Sequence, residues 1–262
     1  KSKDEHSEAF AEAIKGINTV IIDEVHMAKA DVLKRLLTGP FAHCGIRWGL
    51  TGTVPKADYE FMGLKCSIGD VSHRIQASEL QDKGVLANCH VNVLQTQDHP
   101  QFKTYAEELK WLTTDKVRMK WVANTIKDVS SSGNTLVLVD RISAGQILQE
   151  HLKDSVFVSG STKNIDRKEQ YDEVSTATNK IIIATYGVAS VGINIPRIFN
   201  LVLIEPGKSF VRVIQSIGRG IRKAEDKENV QIWDITSSCK FAKRHLGARK
   251  KFYKEANYPY NI

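Results

Sequence analysis

Short apolar runs of strand length alternate along this chain with segments of helical periodicity, and this alternation limits the fold more than any other feature of the sequence. Strands separated by helices are typical of a parallel α/β sheet with helices on its faces. The predicted strands are 19–22, 47–50, 91–94, 135–139, 156–158, 180–185, 200–204 and 230–235. The predicted helices are 29–37, 143–152, 166–175 and 210–222. We therefore expect an α/β protein built on parallel sheets.

The strand–helix pattern is interrupted near residues 97–100, where a polar, proline-containing stretch follows a strand. A helical stretch at 102–129 comes next, and a complete strand–helix repeat then runs from residue 135 to residue 236. We predict a first lobe, a linker with leading helices, a second lobe and a basic tail at 1–97, 98–134, 135–240 and 241–262. The first lobe has too few strands for a full sheet, so we expect its opening half to be missing from this chain.

Composition narrows the class of protein. The 37 Lys and Arg residues against 30 Asp and Glu residues give a net charge of +7, which suits a polyanionic partner without establishing one. The four cysteines are widely scattered, as expected for reduced thiols of a cytosolic protein rather than a zinc site. The longest apolar runs are too short to span a membrane, and the start of the chain lacks the apolar core of a signal peptide. We expect a cytoplasmic protein with no membrane partner.

Two adjacent carboxylates, Asp23 and Glu24, follow the first predicted strand and are followed by Val25 and His26. Ligands bind beyond the carboxyl ends of strands in open α/β sheets. In motors that transfer phosphoryl groups, one such acid holds Mg²⁺ and a second activates the attacking water. A solvated Asp-Glu pair at a strand end explains the tetrapeptide equally well when it is taken alone.

The second predicted strand ends in Thr51-Gly52-Thr53. Small hydroxyl residues around a glycine let the backbone approach its neighbours closely and form hydrogen bonds with them. An ordinary strand-to-loop turn is the simpler interpretation of this tripeptide in isolation.

The most informative segment is 215–222, within the last predicted helix. Gln215, Arg219 and Arg222 have the spacing i, i+4, i+7 and share one helix face. Two guanidinium groups and an amide on one face suit an anion whose charge grows in a transition state. The glycines at 218 and 220 disfavour the alternative, a basic helix that faces solvent.

A glycine- and hydroxyl-rich segment, 183–196, follows a predicted strand. Its N–H groups and hydroxyls suit contacts with a phosphate backbone. The alternative is a tight crossover loop with no ligand.

Taken in order, Asp23-Glu24-Val25-His26, Thr51-Gly52-Thr53, the 185–194 segment and Gln215-x-x-Gly218-Arg219-x-x-Arg222 resemble motifs II, III, V and VI of superfamily 2 helicases. Residues 74–86 resemble a connecting segment of the UvsW-like phage branch-migration helicases and their repair and restriction relatives. The resemblance implies two RecA-like lobes, the first truncated, with ATP and Mg²⁺ between them. It also implies ATP-driven movement along or unwinding of nucleic acid, with DNA favoured and RNA as the alternative.

The resemblance implies a role for each motif. It implies that Asp23 holds Mg²⁺ through water, that Glu24 is the catalytic base, and that hydrolysis is coupled to movement through His26, Thr51, Gly52 and Thr53. It implies that the ATP γ-phosphate is contacted by Gln215, Arg219 and Arg222, with Arg222 as the arginine finger. Gly192 and Asn194 would lie beside the nucleotide, although many relatives have Asp where Asn194 stands. The nucleic-acid backbone would be contacted by Arg141, Ser159, Gly160, Thr185, Tyr186 and Gly187.

One expected element is not found in these 262 residues: a phosphate-binding loop of the form Gly-x-x-x-x-Gly-Lys-Ser/Thr. Gly207-Lys208-Ser209 matches the end of that pattern, but Val202 stands where its first glycine is required. We therefore expect this chain to lack ATPase activity by itself and to need the missing N-terminal half of the protein.

Three other interpretations stay open at the level of sequence: a non-catalytic nucleic-acid-binding module, the motor part of a restriction or repair complex, and, with less support, a protein-translocating motor. A monomer is favoured. The basic, aromatic tail at 240–260 suits either an amphipathic helix packed on the second sheet, which we favour, or a segment that binds single strands. Trp111 and Trp121 have helical spacing and are predicted to lie in the core.

Overall fold

The computed structural model describes residues 3–27, 30–52, 54, 58–160, 162, 176–192, 197–209, 217–218 and 226–262. The chain divides into two compact units, Lys1–Arg74 and Ile75–Ile262. Each unit contains parallel β-strands together with helices, as the alternating pattern of the sequence predicts.

The second unit is built on a seven-stranded sheet in the order β5-β6-β4-β7-β8-β3-β9, and every adjacent pair of strands in it is parallel. Its strands are β3 (Asn88–Thr96), β4 (Thr135–Val139), β5 (Val156–Val158), β6 (Ile181–Thr185), β7 (Asn200–Ile204), β8 (Asn229–Ser237) and β9 (Tyr260–Asn261). The central strands β4 and β7 are buried at every residue. Continuous apolar runs of this kind are typical of parallel strands that are covered on both faces.

Helices cover both faces of this sheet. They are α4 (Ala77–Asp82), α5 (Tyr105–Thr114), α6 (Lys116–Ser130), α7 (Ile142–His151), α8 (Tyr186–Gly192) and α9 (Lys240–Glu255). Alternate residues of a strand point to opposite faces. Leu136 and Leu138 accordingly pack in one core cluster with Leu246 and Tyr253 of α9, whereas Val137 and Val139 pack in the other with residues of α6 and α7.

The first unit is smaller. It contains α1 (Lys3–Ile14), β1 (Thr19–Ile22), α2 (Ala30–Thr38), β2 (Ile46–Gly49) and α3 (Asp58–Ile68), and β1 pairs with β2 in parallel. One face of this sheet packs on a cluster formed by Val25, Leu33 and Leu37. On the same two strands, Ile21 and Trp48 are register partners whose exposed fractions are 57% and 60%.

Most predicted elements are found within one to three residues of their expected bounds. The helical stretch at 102–129 is two helices, because the Asp115 side chain accepts a hydrogen bond from the backbone N–H of Arg118 and caps α6. The predicted helices at 166–175 and 210–222 fall on residues that the structure largely leaves undescribed. Trp121 does not lie in the core, because its side chain is 40% exposed on the outer side of α6.

The division between units differs from the predicted boundary after residue 97. Strand β3 pairs with β8 along nine residues, so 75–97 belongs to the second unit although the sequence analysis assigns it to the first lobe. The pairing partner lies about 140 residues away in the chain, which is why the local pattern gives no sign of it. None of the helices in the described ranges combines the length and apolar character needed to cross a bilayer.

Candidate functional site

The acid pair lies immediately after β1, at the carboxyl end of the strand. Asp23 and Glu24 form a turn in which the backbone N–H of Glu24 donates to Oδ1 of Asp23 at 2.8 Å. Glu24 has a backbone φ of 47°, which non-glycine residues rarely adopt. Such strain is held by the surrounding structure and is frequent in active sites. Both residues are exposed, so both carboxylates are accessible to a ligand.

The segment after β2 is held directly against this turn. The backbone N–H of Leu50 donates to the carbonyl of Ile22 at 2.9 Å, and the backbone N–H of Val25 donates to the carbonyl of Leu50 at 3.0 Å. Gly49 permits the close approach, because a Cβ atom there would lie 3.1 Å from Cγ1 of Val25. These contacts bring Thr51 next to the acid turn.

His26 joins the two segments through its side chain. Its Nδ1 lies 2.6 Å from Oγ1 of Thr51 and 3.3 Å from Oε2 of Glu24. The His26 side chain is only 6% exposed, and its buried Nε2 atom has no hydrogen-bond partner among the residues that the structure describes. A buried polar atom without a partner costs free energy, so it marks a group whose role goes beyond packing. The His26 imidazole therefore contacts both the acid turn and the segment that contains Thr51.

The acid turn also fits a magnesium ion that is held mainly by phosphate and water. Oδ1 of Asp23 accepts the Glu24 N–H, and Asp23 makes no other hydrogen bond to the described residues. Mg²⁺ usually keeps several waters and uses one or two protein carboxylates together with substrate phosphates. Within the described ranges, no group of three or more His, Cys, Asp or Glu side chains is arranged to hold a metal. The Asp23 carboxylate thus suits a shared nucleotide–metal site rather than a metal cage made of protein.

In the second unit, the predicted nucleic-acid contacts lie at one edge of the sheet. Parallel register places Val139 of β4 beside Thr185 of β6, and Val158 of β5 beside Ala184. Because these strands all run in the same direction, the residues that follow them emerge along the same carboxyl edge. Arg141, Ser159, Gly160, Thr185, Tyr186 and Gly187 are brought together there.

Individual residues at this edge differ in what they can contact. No described atom lies within 4 Å of a Cβ added at Gly160 or Gly187, so there is room beside both residues. Arg141 is half-buried at the N-cap position of α7. The Tyr186 side chain, in contrast, is only 5% exposed, and its hydroxyl donates to the carbonyl of Ile204 at 3.3 Å. The Tyr186 side chain belongs to the core, and the predicted contact of this residue with nucleic acid stays a prediction.

Several predicted residues fall outside the part of the chain that the structure describes. Gly192 is the last residue of α8. No placement is given for Thr53, Asn194, Gln215, Arg219 and Arg222.

A buried ionic network beneath the same edge was not predicted from the sequence. Arg249 of α9 donates from Nε and Nη2 to Asp234 at 2.8 and 2.9 Å, and from Nη1 to the carbonyl of Gly207 at 2.7 Å. The Tyr253 hydroxyl donates to the same carboxylate at 2.8 Å. A bidentate guanidinium–carboxylate pair that is completely buried fixes both partners in orientation. The network therefore ties α9 to β8 and to the loop after β7.

A second buried pair lies next to it. Arg118 of α6 donates from Nη2 to Oε1 of Glu205 at 2.8 Å, and Thr236 donates from its hydroxyl to Oε2 at 3.1 Å. Burial raises the pKa of Glu205 to about 7, although the positive charge of Arg118 acts in the opposite direction. Glu205 also has a positive φ of 43°. The sequence analysis did not predict these buried ion pairs, because charged side chains are normally expected at the surface.

Comparison with known proteins finds similarity to helicases. Residues 117–224 match the family model of the helicase conserved C-terminal domain. The ATP-dependent DNA helicase uvsW of Enterobacteria phage T4 is 27% identical over 241 residues, covering 88% of this chain and 48% of that protein. The chain is thus similar to superfamily 2 helicases, and residues 117–224 match their conserved C-terminal domain. It therefore spans about half the length of this helicase relative.

Solved helicase structures share the fold. The crystal structure of T4 UvsW matches 97% of this chain and 56% of its own, with a TM-score of 0.58 and 21% identity. The helicase Lhr of Mycobacterium smegmatis, solved with ssDNA and AMP-PNP, matches 96% of this chain and 33% of its own, with a TM-score of 0.60 and 15% identity. The α/β architecture of this chain is thus that of RecA-like helicase lobes.

Proposed function

We propose that the protein to which this chain belongs hydrolyses ATP to move along or unwind nucleic acid, with DNA as its substrate. The observation that carries the proposal is the acid turn, in which His26 contacts Glu24 on one side and Thr51 on the other. Similarity to the superfamily 2 helicases supports the reaction class, and the relative from phage T4 is a DNA helicase. We extend the proposal to branched DNA on the strength of the motif resemblance.

In this proposal each residue of the acid turn has a separate task. Asp23 holds Mg²⁺ through water, and the ion neutralises charge on the nucleotide phosphates when it is bound. Glu24 accepts the proton of the attacking water, because its carboxylate is exposed and held in a fixed backbone conformation. His26 transmits the state of Glu24 to Thr51, since its Nδ1 contacts both side chains.

The second unit supplies the remaining parts of the proposed mechanism. Gln215, Arg219 and Arg222 contact the γ-phosphate, and Gly192 and Asn194 border the nucleotide. The phosphates of the nucleic acid are held by Arg141, Ser159, Gly160, Thr185 and Gly187. Thr53 and Gly52 complete the coupling segment after β2.

The acid assignment is tested by Glu24→Gln in the complete protein. Loss of the base should reduce ATP turnover by about 10²–10⁴-fold. Nucleotide affinity should be unchanged, because the amide keeps the size of the carboxylate. Glu8→Gln, on the exposed surface of α1, is the matched control and should leave turnover unchanged. Unaltered turnover in Glu24→Gln would show that Glu24 is not the base.

A second proposal concerns the 262-residue chain by itself. It contains no Gly-x-x-x-x-Gly-Lys-Ser/Thr sequence to cradle the β- and γ-phosphates, so we propose that it binds nucleic acid without hydrolysing ATP. An ATPase assay with and without DNA tests this directly. DNA-stimulated turnover by the isolated chain would overturn it.

A further inference from the structure

Helix α9 carries a one-sided row of positive charge. Its exposed cations are Lys240, Lys243, Arg244, Lys251 and Lys254. At 100° per residue these positions fall on one face of the helix, within about 100° of arc. Glu255 is the single acid in the helix. Among the described residues, no carboxylate forms an ion pair with any of these five cations.

The opposite face of α9 is fixed firmly to the sheet. Leu246 and Tyr253 lie in the core, and Arg249 is held by Asp234. The start of the helix is held as well, because the buried Glu108 carboxylate accepts the backbone N–H groups of Phe241 and Ala242 at 3.1 and 2.7 Å. The cationic face therefore has one orientation, and its charges are preorganised along the helix.

Gly247 stands at the centre of this face. Glycine inside a helix costs about 1 kcal/mol relative to alanine, so it usually has a packing or functional reason. No described atom lies within 4 Å of a Cβ added at Gly247, and no contact within the described chain explains the glycine. A bare backbone between flanking cations allows something outside the chain to approach closely.

The length of the row indicates a polymer of anions. From Lys240 to Lys254 the helix rises about 21 Å, whereas a single phosphate would engage two or three cations at most. A membrane surface does not fit, because an amphipathic helix at a bilayer inserts its apolar face, and the apolar face of α9 is buried in the core. A phosphodiester backbone, with one charge every 3.4 Å or so along each strand, matches the length and charge of the row.

Neighbouring residues add to this arrangement near the start of α9. Nζ of Lys240 and Cζ of Arg244 lie 5.5 and 5.4 Å from the ring centroid of the half-buried Phe241. Burial lowers the pKa of His245, and the positive charges of Arg249, of the exposed Lys208 in the loop after β7 and of Arg244 lower it further. Positive charge thus converges where α9 leaves the same carboxyl edge that holds the proposed contacts of β4, β5 and β6.

We propose that the outer face of α9 is a further nucleic-acid-binding surface, on which Lys240, Lys243, Arg244, Lys251 and Lys254 hold the phosphates of a DNA strand across Gly247. This proposal depends on the proposed function in one respect only, which is that the ligand is a nucleic acid. Its contacts do not involve the acid turn, so it requires no nucleotide.

The test compares two triple variants of the 262-residue chain. Lys243→Gln, Arg244→Gln and Lys251→Gln remove three charges from α9. Lys116→Gln, Lys120→Gln and Lys127→Gln remove three exposed charges from α6, on the other face of the same sheet. Binding of a fluorescent 20-nucleotide DNA is measured by anisotropy without ATP, over a series of salt concentrations.

The α9 variant should bind DNA about 10²-fold more weakly near 0.1 M salt, and its log–log salt slope should fall by about 2 to 3. The α6 variant should change affinity by about twofold or less. Equal losses in both variants would show that net charge alone acts, and would overturn the proposal, as would unchanged binding by the α9 variant. Binding of polyglutamate is measured in the same way. If the α9 variant loses more affinity for polyglutamate than for DNA, the surface binds an acidic protein, and the proposal is overturned as well.

Gly247→Gln provides a test that leaves the charge unaltered. Glutamine favours a helix more than glycine does, so thermal stability should hold or rise. DNA affinity should nevertheless fall about tenfold, because the side chain obstructs the approach of the strand. Full affinity in Gly247→Gln would exclude close backbone contact. DNA binding in this test requires no ATP, so its result is independent of the Glu24→Gln experiment. Loss of ATP turnover with unchanged DNA binding would concern only the acid turn. Loss of DNA binding with unchanged ATP turnover would concern only α9.

Discussion

Strands β4 and β7 of the second unit are buried at every residue, whereas β1 and β2 of the first unit leave Ile21 and Trp48 more than half exposed. The second unit covers both faces of its sheet with helices from its own sequence. The first unit covers one face with α2, α3 and the turn after β1. The two units therefore differ in how they are stabilised. The second unit has an extensive core of its own, whereas the first unit is small and carries the acid turn.

The largest expected effect on this comparison comes from Asp234→Ala. The change leaves Arg249 buried and unpaired, which should reduce the free energy of unfolding of the second unit by about 3–5 kcal/mol. Urea unfolding, combined with hydrogen exchange of β8 amides, measures it. Asp128→Ala, at an exposed position of α6, is the control and should change the free energy by about 0.5 kcal/mol or less. A similarly small loss for Asp234→Ala would show that the ionic network does not stabilise the unit.

Two aliphatic side chains, one in each unit, are truncated to alanine to compare burial in the two sheets. Leu203→Ala removes a fully buried side chain from β7 and should cost about 2–5 kcal/mol in the second unit. Ile21→Ala removes a side chain that is 57% exposed on β1 and should change the free energy of unfolding of the first unit by about 0.5 kcal/mol or less. Hydrogen exchange resolved along the chain assigns each effect to its unit. Equal costs at the two positions would refute the difference in burial.

A third expected effect is a dependence of the free energy of unfolding of the second unit on pH. Burial, followed by the charges of Arg249, Lys208 and Arg244, lowers the pKa of His245 from 6.5 to about 4. The unfolded chain therefore binds more protons than the native state between these values, so the stability from neutral His245 is complete above pH 6.5 and is lost as the pH falls toward 4. Glu205 acts with the opposite sign, because its pKa is raised to about 7.

The contribution of His245 is isolated by the variant His245→Gln. Its unfolding free energy should fall less steeply than that of the parent chain between pH 6.5 and pH 4. His151→Gln, at an exposed position at the end of α7, is the control for the exchange of histidine for glutamine. Identical pH profiles for His245→Gln and the parent chain would show that His245 does not titrate differently on folding.

Strand assignment in the second unit was predictable because the relevant signal is local. The runs at 135–139 and 200–204 are short, apolar and rich in β-branched and leucine residues, and β4 and β7 occupy those bounds. The acid turn was likewise predicted at the end of a strand, since Asp23 and Glu24 directly follow β1. The functional roles assigned to these residues stay predictions until they are tested by the variants above.

The amino-acid sequence by itself determined the α/β class, the strand bounds and the motif order, because periodicity and short spacing act between residues that are near neighbours in the chain. Tertiary structure alone decided that β3 joins the second sheet, that His26 meets Thr51, and that Arg249 is buried against Asp234. It also placed the Tyr186 side chain in the core and left the cations of α9 facing outward. Each of these outcomes depends on which distant surfaces pack together, and a local pattern carries no information about a partner that lies tens of residues away.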